Sequence, residues 1–178
     1  MLDEKRIKEA ESNTRQYIKE GLLKRQKNET ARQMYLENSN LSLETAQKLL
    51  SLESSTYQPF LWIIVTSYYA MYYISNAVLL SLGYKVGSKV SHKVTSDALI
   101  ALVRGKLKKS LIEQYEYLKE DALELMSSKA DLLLKSFDFE REKRSNFQYR
   151  MDEEVKKAKS LTSLERAKEF VFEMKKLL

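Results

Sequence analysis

Residues 141–150, with the sequence "REKRSNFQYR", bring cationic, aromatic and amide side chains together in one short stretch. The cations could hold phosphate groups, and the aromatic rings could stack on bases of RNA or a nucleotide. The candidate residues for such binding are Arg141, Arg144, Asn146, Phe147 and Tyr149. The same stretch is also typical of a strip that docks a partner protein, or of a solvated connection between helices. In that last case Arg144 would pair with an acidic neighbour, and Tyr149 would pack at a helix end.

Proton transfer and metal binding have few candidate residues in this chain. His92 is the only histidine, and there is no cysteine, which excludes disulfides, thiolate metal sites and a cysteine nucleophile. A lone histidine without a cluster of carboxylates gives weak support for a metal, so we predict neither a metal site nor a cofactor. Tyr149, whose ordinary pKa is about 10, is a poor general base at neutral pH. Arg144 and Tyr149 are therefore only candidates for catalysis.

Composition indicates an all-α protein. The 178 residues are typical of one domain, and only four are glycine and one is proline, which argues against sheets joined by tight turns. No segment shows the sustained alternation of a strand. The net charge of +6 reflects 31 basic against 25 acidic residues, an excess that tolerates nucleic acid or an acidic partner without requiring either. We predict an up-and-down bundle of four to five main helices.

A long uncharged stretch, between Glu53 and Lys85, lies near the middle of the chain. It is long enough to span a bilayer, but its tyrosines, including Tyr68, lie at its centre rather than at the two membrane interfaces that tyrosine favours. The central helix of a bundle explains this pattern better. We therefore expect no membrane partner and a cytoplasmic location, with which the lack of cysteine agrees.

Apolar periodicity and capping signals predict where the helices lie. They are expected over residues 4–26, 30–52, 58–82, 92–104 and 108–143, with a last helix that begins at a capping box of Thr162 and Glu165. The sequence leaves open whether 108–143 is one helix or two, since its apolar stripe changes phase near 127–130. Thr30 and Gln33 predict a capping box for the second helix, whose apolar side includes Met34, Leu41 and Asn38.

Three stretches together, "SYYAMYYISNAVLLSLGYK…SH", "EREKRSNFQY" and "SLERAKEFVFEMKKL", resemble the HEPN superfamily. The likeness is closest to small prokaryotic and archaeal proteins encoded beside a minimal nucleotidyltransferase. It covers roughly residues 30–178, so that residues 1–28 look like an N-terminal helical extension of a single domain spanning 1–178. The resemblance implies a helical bundle that forms a homodimer, with the nucleotidyltransferase as a further partner.

Active members of this superfamily are metal-independent ribonucleases that use an arginine followed, after four to six residues, by a histidine. Arg144 matches the arginine, but the positions five to seven residues further on are Tyr149, Arg150 and Met151. Because no histidine follows Arg144 at the spacing of the active members, we predict little ribonuclease activity. Toxin members are modified by their partner at a tyrosine two residues after the histidine, and this chain has Met151 at that position. Tyr149 is therefore a weak candidate acceptor.

Three functions follow as hypotheses. The first is a dimeric module that binds RNA, a nucleotide or a nucleotidyltransferase partner without the usual catalytic histidine. The second is a toxin-type endoribonuclease of a toxin–antitoxin system, and the third is a protein-docking adaptor.

In the first two, we expect a cleft beneath Arg144 lined by Asn38, Ser67, Tyr68 and His92, although the resemblance suggests a local structural role for His92. A second basic cluster, at 103–110, is typical of a solvated turn, and it would extend the footprint only if nucleic acid binds.

Overall fold

Six helices dominate the computed structural model, which describes the backbone of residues 2–138 and 153–178 and the side chains of 2–127 and 156–178. The helices are α1 (Glu4–Lys19), α2 (Glu29–Ser51), α3 (Phe60–Ser81), α4 (Ser91–Leu102), α5 (Lys109–Asp138) and α6 (Glu153–Lys175). The strands are β1 (Leu23–Arg25) and β2 (Tyr84–Val86), and a short 3₁₀ helix spans Arg104–Lys106. The prediction of an all-α helical bundle is confirmed.

The uncharged stretch forms α3, which lies at the centre of the bundle and packs against α2, α5 and α6. Within the described residues it is the one helix long and apolar enough to cross a membrane, with a mean hydropathy of 1.3 over its most apolar window. In the fold, 83% of that window is buried. Its apolar residues are thus covered by neighbouring helices, which is the pattern of the core helix of a soluble protein.

The two short strands pair as an antiparallel clasp that the sequence did not predict. Leu23 lies opposite Val86, Lys24 opposite Lys85, and Arg25 opposite Tyr84. Leu23 and Val86 are buried, so the clasp is anchored to the core by one apolar pair. The predicted first helix therefore ends at residue 19 rather than 26, and the predicted loop after α3 contains a strand.

The clasp holds α1 against α4. One strand follows α1 in the chain and the other precedes α4, and the two helices pack side by side. Asp3 caps the N-terminus of α1 by accepting a hydrogen bond from the Arg6 amide. Leu2, Ala10 and Tyr17 join the main hydrophobic core, so residues 2–19 bury apolar surface against the rest of the bundle.

Three helices begin at residues other than those predicted. The cap of α2 is Asn28, whose side chain accepts a hydrogen bond from the Ala31 amide, rather than Thr30. Thr162 lies inside α6, where its hydroxyl donates to the Ala158 carbonyl. The helix predicted over 92–104, which Ser91 could have capped, begins one residue earlier, because Ser91 is the first residue of α4 and Val90 precedes it at the N-cap position without a side-chain hydrogen bond. The backbone of α5 runs unbroken past residues 127–130, which settles that part of the region in favour of one helix.

The apolar side predicted for α2 is partly wrong. Met34 and Leu41 are 57% and 62% exposed, because α2 turns a different face toward α3. That inner face includes Ser39, whose hydroxyl donates to the Ala70 carbonyl of α3 at 2.7 Å, and the fully buried Ala46. Asn38 is half-buried on the same side as Met34 and Leu41.

Candidate functional site

The predicted ligand-binding segment lies outside the described residues. Its candidate residues are Arg141, Arg144, Asn146, Phe147 and Tyr149, which fall between the described ends of α5 at Asp138 and α6 at Glu153. Their predicted roles therefore stay predictions. The described residues do, however, define the surroundings of the other candidates named from the sequence.

His92 and Tyr68, two of the predicted cleft residues, are brought together at the N-terminal end of α4. The Tyr68 hydroxyl and the Nδ1 atom of His92 lie 2.6 Å apart, and Tyr68 is fully buried. The imidazole also packs against the ring of Tyr72, with the ring centres 4.5 Å apart. These contacts tie the first turn of α4 to the middle of α3.

Burial shifts the pKa values of both His92 and Tyr68. It lowers the pKa of His92, and the nearby ammonium group of Lys119 lowers it further. Burial also raises the pKa of Tyr68. At neutral pH the imidazole is therefore neutral, and its Nδ1 atom can accept a hydrogen bond from the Tyr68 hydroxyl.

The other two predicted cleft residues make different contributions. Ser67 is fully buried in α3, and within the described residues its hydroxyl has no hydrogen-bond partner. Asn38 lies on α2, on the side that carries the exposed residues Met34 and Leu41. Of the four predicted cleft residues, Tyr68 and His92 are in contact, Ser67 is buried in α3, and Asn38 lies on the exposed side of α2.

A buried carboxylate, Asp97, is the centre of a polar network that the sequence analysis missed. Asp97 is 1% exposed and lies 2.7 Å from the guanidinium of Arg6. It accepts hydrogen bonds from the Tyr17 hydroxyl at 2.9 Å and from the Asn13 amide at 3.0 Å. The sequence did contain a signal for this buried carboxylate, since Asp97 is the only acidic residue between Glu53 and Glu113. An isolated carboxylate in an apolar region has to find partners.

Glu116 continues the network toward His92. It accepts hydrogen bonds from Arg6 at 3.2 Å, from Lys119 at 3.0 Å and from the hydroxyl of Ser96. Burial alone would raise the pKa of Glu116, but Lys119, Ser96 and Arg6 together hold it below its ordinary value. Each cation here has a carboxylate partner, so the network is suited to holding α1 on α4 and α5 rather than to binding an anion.

A shallow pocket opens beside this network and has acidic walls. Its volume is about 170 Å³, and its lining residues are Leu2, Arg6, Glu113, Glu116, Tyr117 and Glu120. Three carboxylates against one guanidinium disfavour phosphate at this position. Among the side chains that the structure describes, no group of three or more His, Asp or Glu residues could hold a metal ion.

Comparison of the chain with protein-family models, curated proteins and solved structures gave no match. The likeness to the HEPN superfamily therefore depends on the residues quoted above.

The neutral state of His92 predicts a pH dependence of stability. Because its pKa is lowered in the fold from an ordinary value of 6.5, the unfolded chain binds more protons below that pH, and the free energy of unfolding should fall as the pH drops from 6.5. We expect the His92→Gln variant to lose this slope. Urea denaturation between pH 7.5 and 5.5 measures it, a range above the ordinary titration of carboxylates. An unchanged slope in the variant would contradict the assignment.

Proposed function

We propose that the protein is a HEPN-like helical module of the cytoplasm that acts as a homodimer and binds RNA, a nucleotide or a nucleotidyltransferase partner. The segment 141–150 supplies the binding groups, with Arg144 on phosphate and Tyr149 or Phe147 on a base. The module has little ribonuclease activity of its own.

The environment of His92 carries this proposal. A HEPN-type ribonuclease needs an imidazole that is free to move protons close to the conserved arginine. The single imidazole of this chain is instead committed to Tyr68 through Nδ1 and packed among tyrosine rings. This favours a binding role for Arg144 over cleavage.

An exposed stripe on α2 supports the dimer. Met34 and Leu41 are 57% and 62% exposed, and the half-buried Asn38 and Thr45 alternate with them at the spacing of a heptad seam. The next position of this seam is the exposed Lys48, and Leu52, 61% exposed, follows the end of the helix. The Thr45 hydroxyl donates to the Leu41 carbonyl at 2.8 Å, so this polar group already has a partner within α2. Residues at this spacing suit helix pairing with α2 of a second copy.

Replacing Arg144 with Ala tests the binding role. We expect the affinity for a labelled single-stranded RNA to fall about tenfold, since one charge-assisted hydrogen bond to phosphate is lost. Fluorescence anisotropy at low salt measures this affinity, and the affinity of the parent protein should fall steeply with added salt. Arg15→Ala removes the same charge from an exposed position on α1 and should change the affinity little.

Cleavage of the RNA decides between the proposal and a toxin-type endoribonuclease. The labelled RNA should remain intact with the parent protein and with Arg144→Ala. Cleavage by the parent that disappears in the variant would reverse the proposal. Equal affinities of the parent and Arg144→Ala would show that segment 141–150 is not the binding site.

A further inference from the structure

The clasp formed by β1 and β2 has a strongly cationic surface. No acidic residue occurs in residues 21–28 or 82–96, the two stretches that contain its strands. Its cations, extending into the first turn of α4, are Lys24, Arg25, Lys27, Lys85, Lys89 and Lys93. Within the described residues none of the six takes part in an ion pair, whereas Arg6, Arg104 and Lys119 elsewhere do. Five of the six are exposed, and Lys85 is half-buried.

The register of the clasp places two of these charges side by side. Lys24 and Lys85 are direct cross-strand partners. Like charges at directly opposed positions destabilise strand pairing, and no carboxylate of the two stretches offsets them. An anion bound over the clasp would remove this repulsion, which makes the surface a receptor for a polyanion.

An aromatic ring lies on the face of the clasp opposite to the Lys24–Lys85 pair, because successive residues of a strand point to opposite faces. The guanidinium of Arg25 lies over the ring of Tyr84, 4.1 Å from its centre. Stacked pairs of arginine and tyrosine are a surface on which unpaired bases pack, and bases are accessible in this way only in single strands. A cationic surface that binds anionic lipid needs exposed Trp, Phe or Leu as anchors, and the only large apolar residue exposed here is Val90.

From these observations we propose that the clasp binds single-stranded RNA that passes over its edge, with Lys24 and Lys85 on phosphates at one face and the Arg25–Tyr84 pair against a base at the other. The inference rests on the proposed RNA-binding function and adds to it a second contact surface, separate in sequence from segment 141–150. The six cations and Tyr84 all belong to the described residues, and the clasp does not include Arg144.

A triple variant, Lys24→Ala/Lys27→Ala/Lys89→Ala, tests this surface. The affinity for a uridine 12-mer at low salt should fall at least tenfold. The slope of log affinity against log salt should become shallower by about 2, because each phosphate contact on a single strand contributes about 0.7. A control of equal charge is Lys159→Ala/Lys168→Ala/Lys175→Ala on α6, a helix that packs against α2, α3 and α5. Unlike the clasp lysines, Lys159 and Lys168 are paired within the described residues, with Asp121 and Glu165. This control should change the affinity less than threefold.

A second variant separates loss of binding from loss of structure. Lys85→Glu places a carboxylate opposite Lys24, so the melting temperature should stay equal or rise while the affinity for RNA falls. A variant that had lost its fold would lower both quantities. A rise in RNA affinity with Lys85→Glu would overturn the inference.

The outcomes distinguish the clasp from segment 141–150. If the clasp triple variant binds RNA as tightly as the parent while Arg144→Ala does not, the clasp is not an RNA surface and the proposed function stands. If only the clasp variant loses affinity, the clasp carries the binding and the role of Arg144 fails. Binding to phosphatidylserine vesicles, with none to RNA, would assign the clasp to a membrane surface and overturn the inference.

Discussion

Replacing Asp97 with Ala is expected to lower the free energy of unfolding by about 3 kcal/mol, the lower end of what breaking a buried ion pair costs. The carboxylate is 1% exposed, and its removal leaves the Tyr17 hydroxyl and the Asn13 amide without their acceptor. Arg6 keeps Glu116 as a partner and is partly solvated, which limits the loss. Urea denaturation at pH 7 measures the change.

Two comparisons make this result specific to Asp97. Asp97→Asn keeps a side chain that accepts hydrogen bonds but removes the charge, so its loss of stability should be smaller. Glu44→Ala breaks an exposed ion pair with Lys48, 2.7 Å apart, and should cost less than about 1 kcal/mol. An Asp97→Ala protein as stable as Glu44→Ala would show that the network does not hold α1 in place.

Replacing Leu41 with Glu is expected to convert the proposed dimer to a monomer. The substitution brings two carboxylates together across the symmetric contact, which should weaken association by about 100-fold or more. Size-exclusion chromatography with light scattering, over a range of protein concentrations, measures the effect. Gln47→Glu adds the same charge to an exposed position on a different face of α2 and should leave the dimer intact. A parent protein that is monomeric at every concentration would contradict the proposal.

The charges beside the stripe predict its orientation. Glu37 and Glu44 occupy the same flank of the seam, so antiparallel helices would oppose carboxylate to carboxylate, whereas parallel helices would not. Parallel pairing also brings Asn38 opposite its own copy, where two amides can hydrogen-bond. Because the chain has no cysteine, Met34→Cys and Leu41→Cys can be oxidised separately, and parallel helices should crosslink at both positions.

The sequence predicts the helices well wherever one apolar pattern dominates. The uncharged run between Glu53 and Lys85 predicted the core helix, because only burial explains so many apolar residues with tyrosines at the centre. Which face of α2 packs against α3 was harder to predict, since this helix has apolar residues on two sides and periodicity does not distinguish them. The clasp was not predictable from local pattern, because its strands are three residues long and pair across the α2–α3 hairpin.

The sequence identified candidate residues such as Tyr68 and His92, but it did not show which of them would be in contact. Tyr68 and His92 were both named from the sequence, yet their hydrogen bond joins positions 24 residues apart and depends on how α4 crosses α3. The cations of the clasp were missed for the same reason. Lys24 and Lys85 become neighbours only after β1 and β2 have paired.

The clasp also determines when α1 can fold during synthesis. A helix of 16 residues is marginal by itself in water, and α1 packs chiefly against α4, which ends at residue 102. At translation rates of about 5–20 residues per second, the ribosome needs roughly 4–17 seconds after completing α1 to reach that residue. During this interval the apolar side of the nascent α1 is unprotected, and a cotranslational chaperone would find it first.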